Sequence, residues 1–242
     1  MRDWLTARPI AHRGLHEAAA GVIENTTSAF QAAIDGGYAI ECDLQISADG
    51  EAMVHHDDAL GRLTDGQGRL DTMTAAALKR VAFKATADRM LTLGELCDMA
   101  AGGTTLVLEL KGRFAGDTRL ATRTAQVLAG RNAPIAAMSF EPGLIAALRR
   151  LAPAIPLGLV AMQRQPGEPP AADATPWRYA RAALAARPQF LAYRVQDLTS
   201  APPLIARHLL RWPLLTWTVR TAEDRARGAL HADQIIFEGF RP

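Results

Sequence analysis

Cysteine is scarce in this chain, at 2 of 242 residues. Cys42 falls in a strand-like segment and Cys97 in a helix-like one, without the close, even spacing of a disulfide framework or a thiolate zinc site. Both read as buried thiols. Long apolar runs are missing too. No stretch approaches the roughly 20 apolar residues that span a bilayer, and the opening MRDWLTARPIAHRG lacks the apolar core of a secretory leader. A soluble, cytoplasmic protein with no stable membrane insertion is expected. Charge of one sign is not in excess either. The 27 basic and 25 acidic residues are scattered rather than gathered into a stripe that could follow a nucleic-acid backbone. Nucleic acid is not expected as a partner.

What is present is apolar residue in quantity: 49% of the chain is hydrophobic, enough for one large core. The length sits near the roughly 250 residues of a (β/α)8 barrel, so one domain spanning 1–242 is expected. Short β-branched or apolar runs alternate with Ala/Leu/Arg-rich amphipathic stretches, the pattern of repeated βα units in an α/β protein. Strands are predicted at 9–13, 38–45, 105–111, 134–139, 156–161, 189–194, 213–219 and 233–238. Helices are predicted at 25–35, 93–101, 117–129, 142–151, 176–186, 202–211 and 221–230, several opening on a cap or first-turn residue such as Asn25, Asp117, Pro142, Pro176 or Pro202. Eight strands is the number a (β/α)8 TIM barrel requires. Only four residues follow the last strand, so the final outer helix is missing and residues 3–7 are expected over part of the barrel floor. Two stretches break the repeat. The turn-rich segment at about 57–90 reads as a small insertion after the second strand, and the Pro-rich 163–175 as a flexible loop.

The first predicted strand ends in His12-Arg13-Gly14, at the end of the strand where a barrel builds its site. Taken alone, His12 reads equally well as a surface histidine at a strand end. The second strand carries Glu41 and Asp43 two residues apart, so both carboxylates share one face of an otherwise apolar run. Buried unpaired carboxylates cost several kcal/mol each, which asks for a bound cation or for ion pairs with Arg13 or Lys111. The third strand repeats the device with Glu109 and Lys111 on one face. Three hard oxygen ligands favour Mg²⁺ or Ca²⁺ over Zn²⁺. Two cations beside such a metal suit an anionic substrate, a phosphate above all.

Asp49-Gly50 between extended segments signals a two-residue hairpin, which would place His56 opposite Asp43 on one face. A three-residue loop would shift the register and favour His55 instead.

Together IAHRG, ENTTSAF, IECDLQISADG, MVHHDDAL, LVLELK and LTWTVR, in this order from Pro9 to about Glu238, resemble the glycerophosphodiester phosphodiesterase family. The resemblance implies a TIM barrel with a small insertion, a divalent cation, and hydrolysis of small-molecule glycerophosphodiesters to glycerol 3-phosphate and an alcohol. It implies His12 and His56 as catalytic histidines and Glu41, Asp43 and Glu109 as metal ligands. Arg13 and Lys111 are implied on the phosphate, and Trp217 as an aromatic near the substrate, where a barrel core aromatic is the alternative. Three details depart from the family pattern: Ile23 replaces the proline before Glu24-Asn25-Thr26, Ala59 replaces a threonine, and the chain closes on Ile-Ile-Phe-Glu-Gly-Phe rather than Thr-Asp-x-Pro.

One histidine would take a proton from the nucleophile and the other give one to the departing alkoxide. A phospholipase D-like or phosphatidylinositol-specific lyase on a related barrel would use the same set on a lipid, but no aromatic-rich amphipathic helix offers a way onto a membrane. A noncatalytic phosphodiester-binding protein is the reading from another class, against which both histidines and all three acids are retained. Head group, choice of Mg²⁺ or Ca²⁺ and oligomeric state are not set by these motifs.

Overall fold

Every predicted strand forms, and the order of pairing explains why they close on themselves. In the computed structural model, which describes residues 3–163 and 176–242, eight parallel strands run β1 (Ile10–Ala11), β2 (Ala39–Ile46), β4 (Leu106–Leu110), β5 (Ile135–Ser139), β6 (Leu157–Ala161), β7 (Phe190–Arg194), β8 (Leu214–Val219) and β9 (Gln234–Phe237). β1 pairs with both β2 and β9, so the sheet is a closed (β/α)8 barrel.

Helices α1 (Thr27–Asp35), α2 (Ala75–Leu78), α3 (Leu93–Met99), α4 (Arg119–Leu128), α5 (Pro142–Leu151), α6 (Pro176–Ala186), α7 (Ala201–Leu204) and α8 (Ala222–His231) account for the amphipathic stretches. Local chemistry sets their starts. Thr92 with Glu95 and Thr221 with Asp224 form reciprocal caps on α3 and α8, and α5 opens on Pro142. The helix expected from 202 to 211 is instead short α7 followed by a π-helical turn, Ile205–Leu209.

The pleat divides each strand between two cores. Outward residues such as Ile40, Cys42, Leu44, Leu106 and Leu108 pack under the helices, and both cysteines are buried free thiols. Inward residues Ile10, Ala39, Val107, Phe190, Leu215 and Ile236 fill the barrel. Leu5, in a 3₁₀ turn at Asp3–Leu5, joins that inner cluster with Trp4 against it, so the N-terminal segment closes the floor as expected.

The hairpin differs from its predicted form. β3 (Ala52–Val54) pairs antiparallel to β2 with Leu44 opposite Val54 and Ile46 opposite Ala52, and Ser47 N–H donates to the Glu51 carbonyl. The loop is therefore three residues, 48–50, not the two of a tight Asp-Gly turn. This register sets His55, not His56, opposite Asp43, and His55 N–H donates to the Asp43 carbonyl at 3.0 Å. Beyond β3 the insertion gathers its own apolar cluster of Ile23, Met53, Leu60, Leu70, Leu78, Phe83 and Met90. The Pro-rich stretch read as a loop lies outside the described residues from 164 to 175. Among the described residues no helix is long and apolar enough to cross a membrane.

Candidate active site

The mouth of the barrel is a cavity of about 240 Å³ lined by His12, Arg13, Glu41, His56, Glu109, Lys111 and Trp217. Asp43 lies fully buried beside it. All the residues singled out in the sequence thus meet in one place. How each gets there follows from the strands.

Parallel pairing sets Asp43 beside Glu109. Ligand oxygens of Glu41, Asp43 and Glu109 lie within 4.8 Å of one another, and all three side chains are buried. Arg13 adopts a left-handed conformation, φ 57°, that turns its N–H onto Glu41 Oε2 at 3.0 Å. Gly14 follows at φ 80°, and a Cβ there would sit 2.8 Å from the Ala29 carbonyl carbon, so the His-Arg-Gly turn has room for glycine alone.

The ion pairs foreseen as an alternative to a metal are present. Arg13 Nε stands 3.1 Å from Asp43 Oδ2, and Lys111 Nζ stands 2.8 Å from Asp43 Oδ1 and 2.5 Å from Glu109 Oε1. They do not satisfy the cluster. Three carboxylates face two cations, and Arg13 also serves Glu24 at 2.7 Å. Glu41 Oε1 is buried and accepts no hydrogen bond among the described residues. Burial, then the Asp43 and Glu109 charges, push the Glu41 carboxyl well above the usual carboxylate range. Burial also raises Glu109, with Asp43 adding to it. At Asp43 burial pushes upward too, but Lys111 and Arg13 outweigh it and hold that carboxyl well below its usual range. A hard divalent cation fits this residue of charge: it would occupy the orphan oxygen and keep all three acids ionised.

The two histidines are held alike. His12 Nδ1 meets Glu238 Oε2 at 2.5 Å, and burial keeps the ring below the usual histidine range even so. His56 Nδ1 meets Asp57 Oδ1 at 2.7 Å. Among the described residues neither Nε2 makes a hydrogen bond, and that of His12 stands 3.9 Å from Glu41 Oε2. His56 reaches the cavity although the ladder assigns His55 to Asp43, because β3 ends at Val54 and a bend carries His56 round. His55, just before the insertion, is buried 6.5 Å from its Phe83 ring. Trp217 lies edge-on to Phe140 at 5.6 Å, and its buried Nε1 has no hydrogen-bond partner among the described residues.

With this geometry in view, residues 12–236 match the Glycerophosphoryl diester phosphodiesterase family. The chain belongs to that family. Glycerophosphodiester phosphodiesterase 1 of Bos taurus is 42% identical over 82 residues, 33% of this chain and 23% of that protein. The glycerophosphodiester phosphodiesterase of Caldanaerobacter subterraneus is 34% identical over 110 residues, 42% of this chain and 44% of that one. The matched segment thus spans less than half of either relative. A phosphodiesterase of Oleispira antarctica, solved with the product sn-glycerol-3-phosphate, shares the fold with a TM-score of 0.77 at 21% identity, over 97% of this chain and 94% of that chain. A candidate glycerophosphoryl diester phosphodiesterase of Silicibacter pomeroyi gives 0.76 at 26% identity, over 95% and 89%.

Three residues that brace this site were not singled out as site residues in the sequence. Asn25, buried and at φ 57°, donates from Nδ2 to Asp43 Oδ2 at 2.9 Å and so braces the acid that carries both ion pairs. Arg62, from the insertion, donates to Asp57 at 2.6 Å and to Glu24 at 2.7 Å, tying the insertion to the barrel. Glu238 belongs to the closing segment that departs from the family pattern. Asn25 could have been found, since it is the second residue of the ENTTSAF motif; Glu238 acts through tertiary pairing that no local spacing signals, and Arg62 through one such pair, with Glu24, besides its local bond to Asp57.

Proposed function

We propose that this protein, read as one barrel domain with an insertion at about 57–90, is a divalent-metal-dependent phosphodiesterase that hydrolyses glycerophosphodiesters to glycerol 3-phosphate and an alcohol. The observation that carries this is the convergence on one cavity of two carboxylate-bound histidines and three buried acids with an orphan oxygen. The product bound to the Oleispira antarctica protein supports the same substrate class.

In this reading Glu41, Asp43 and Glu109 hold Mg²⁺ or Ca²⁺. When bound, the ion draws charge from the phosphate oxygens. Arg13 and Lys111 are the phosphate-binding cations, and Trp217 flanks the substrate. His12 and His56 are the acid–base pair. Through Nε2 one histidine removes the proton from the glycerol 2-hydroxyl, whose oxygen attacks phosphorus, and the other protonates the departing alkoxide. Water then opens the resulting cyclic phosphate with the roles reversed. Glycerol is needed because it carries the attacking hydroxyl. A cytoplasmic place in lipid and glycerol breakdown is in keeping with a small water-soluble substrate.

The test is release of glycerol 3-phosphate from glycerophosphodiesters bearing different head groups. Release from several of them supports the reading; binding without release identifies a phosphodiester-binding protein.

A further inference from the structure

We propose that Glu238 is a positioning residue for His12: its carboxylate, held from behind by Arg220, fixes the tautomer and direction of the His12 ring. This rests on the function just proposed, but the geometry behind it does not.

The strand ladder makes the pair. β1 and β9 run parallel with Ala11 beside Phe237, and His12 N–H donates to the Phe237 carbonyl at 2.9 Å. One step further along that ladder, His12 and Glu238 are neighbours on the inward face. Glu238 N–H is fixed in turn to the Val219 carbonyl at 3.1 Å. The side chains meet as Nδ1 and Oε2 at 2.5 Å, while Arg220 Nε holds the other oxygen, Oε1, at 2.5 Å. A carboxylate on Nδ1 puts the neutral ring's proton there and leaves Nε2 as a lone-pair acceptor aimed at the cavity. His56, Asp57 and Arg62 repeat the arrangement across the cavity, which shows that an Arg–carboxylate–His chain is the means by which this site holds its imidazoles.

His16 also lies near, its Nε2 3.7 Å from Glu238 Oε2, and His12, His16 and Glu238 could in principle cage a cation. The Arg220 guanidinium already supplies positive charge to that carboxylate, and a second cation would face it directly. The cluster holds a proton.

The experiment compares wild type with Glu238→Ala and Glu238→Gln, using histidine-selective ¹⁵N NMR, steady-state kinetics and metal analysis. In wild type the His12 ring, assigned by its absence from His12→Asn, should appear as the Nδ1–H tautomer with a far-downfield proton. Glu238→Ala should show a mixture of tautomers. Its kcat should fall about 10–100-fold with KM little changed, the range seen when a histidine's supporting partner is removed. If the alanine variant fails to fold, Glu238→Gln, which keeps the shape and an acceptor oxygen, should still lose the downfield proton and lower kcat. Unaltered His12 resonances and wild-type kcat in the variants overturn the inference, as does loss of a bound metal ion from either of them. An inactive wild type that retains the Nδ1–H tautomer would refute the proposed function and leave the His12–Glu238 pairing standing.

Discussion

At the floor of the barrel the inward positions are Ile10, Ala39, Val107, Leu215 and Ile236; two residues later along the same five strands stand His12, Glu41, Glu109, Trp217 and Glu238. A two-residue step is about 6.6 Å along a strand. Within it the barrel passes from a dry apolar plug to a cluster of charge. The floor contributes stability through burial, whereas the mouth holds acids that repel one another and an oxygen with no hydrogen-bond donor among the described residues. The comparison teaches that the fold carries an electrostatic cost at one end, which a bound cation would relieve, and secures itself at the other.

The sharpest way to break this comparison is to neutralise the mouth. Glu41→Gln should reduce turnover to background while leaving the thermal midpoint of the metal-free protein unchanged or higher, because it removes a charge that Asp43 and Glu109 oppose. Glu109→Ala should likewise be inactive but folded. Asp43→Ala should lose activity and also stability, by about 3–5 kcal/mol, since Arg13 and Lys111 are left without their shared partner. Product assays paired with thermal unfolding separate the three. A midpoint for Glu41→Gln far below wild type would show that the mouth is stabilising.

Next in size are the histidines. His12→Ala and His56→Ala should each lower turnover by roughly 10²–10⁴-fold, with substrate binding much less affected. On a p-nitrophenyl phosphodiester that retains the glycerol, the leaving group needs no proton. The histidine serving as general acid should then become nearly dispensable and the base remain essential. Equal, near wild-type rates for both variants on both substrates would contradict the pair.

At the floor the same comparison runs the other way. Ile10→Ala, at a fully buried position of the inner cluster, should cost about 2–5 kcal/mol in chemical denaturation, with turnover per folded molecule unchanged.

Arg62→Ala should have the smallest effect. Its guanidinium is close to half exposed, so the loss should stay within about 1 kcal/mol. Burial works against the Asp57 carboxylate, but hydrogen bonds from Arg62 and His56 hold its pKa at about 2, below the unfolded value of roughly 3.9. This stabilisation is therefore complete above about pH 4 and is lost as pH falls toward 2. The gap in unfolding midpoint between wild type and Arg62→Ala should shrink over that range and be constant above it.

Much of this was legible in the sequence for a physical reason. The apolar-to-charged step on one strand face appears directly as Ala39, Glu41, Asp43 and as Val107, Glu109, Lys111, because side-chain alternation is a local property. Barrel strands fully buried on both faces also stand out as short apolar runs, and all eight were placed to within three residues at either end. The hairpin register was not legible: Asp49-Gly50 fits both two- and three-residue loops, and what separates them is the Ser47–Glu51 backbone bond together with Asp49 accepting from Ser47 Oγ and Ala75 N–H. His56 still reached the cavity, through a bend rather than the ladder. Glu238 was invisible because its partner His12 lies 226 residues away, and Arg62 because its link to the barrel, Glu24, lies 38 residues away even though Asp57 is near in sequence.

The central claim is that the clustered carboxylates of Glu41, Asp43 and Glu109, with the orphan Glu41 Oε1 among the described residues, are a divalent-metal site needed for hydrolysis. The most direct measurement is glycerol 3-phosphate release by protein stripped with EDTA, then titrated with Mg²⁺ or Ca²⁺. The account predicts no turnover in the stripped protein and recovery with one of these ions at a stoichiometry that Glu41→Gln abolishes; full turnover without metal would contradict it.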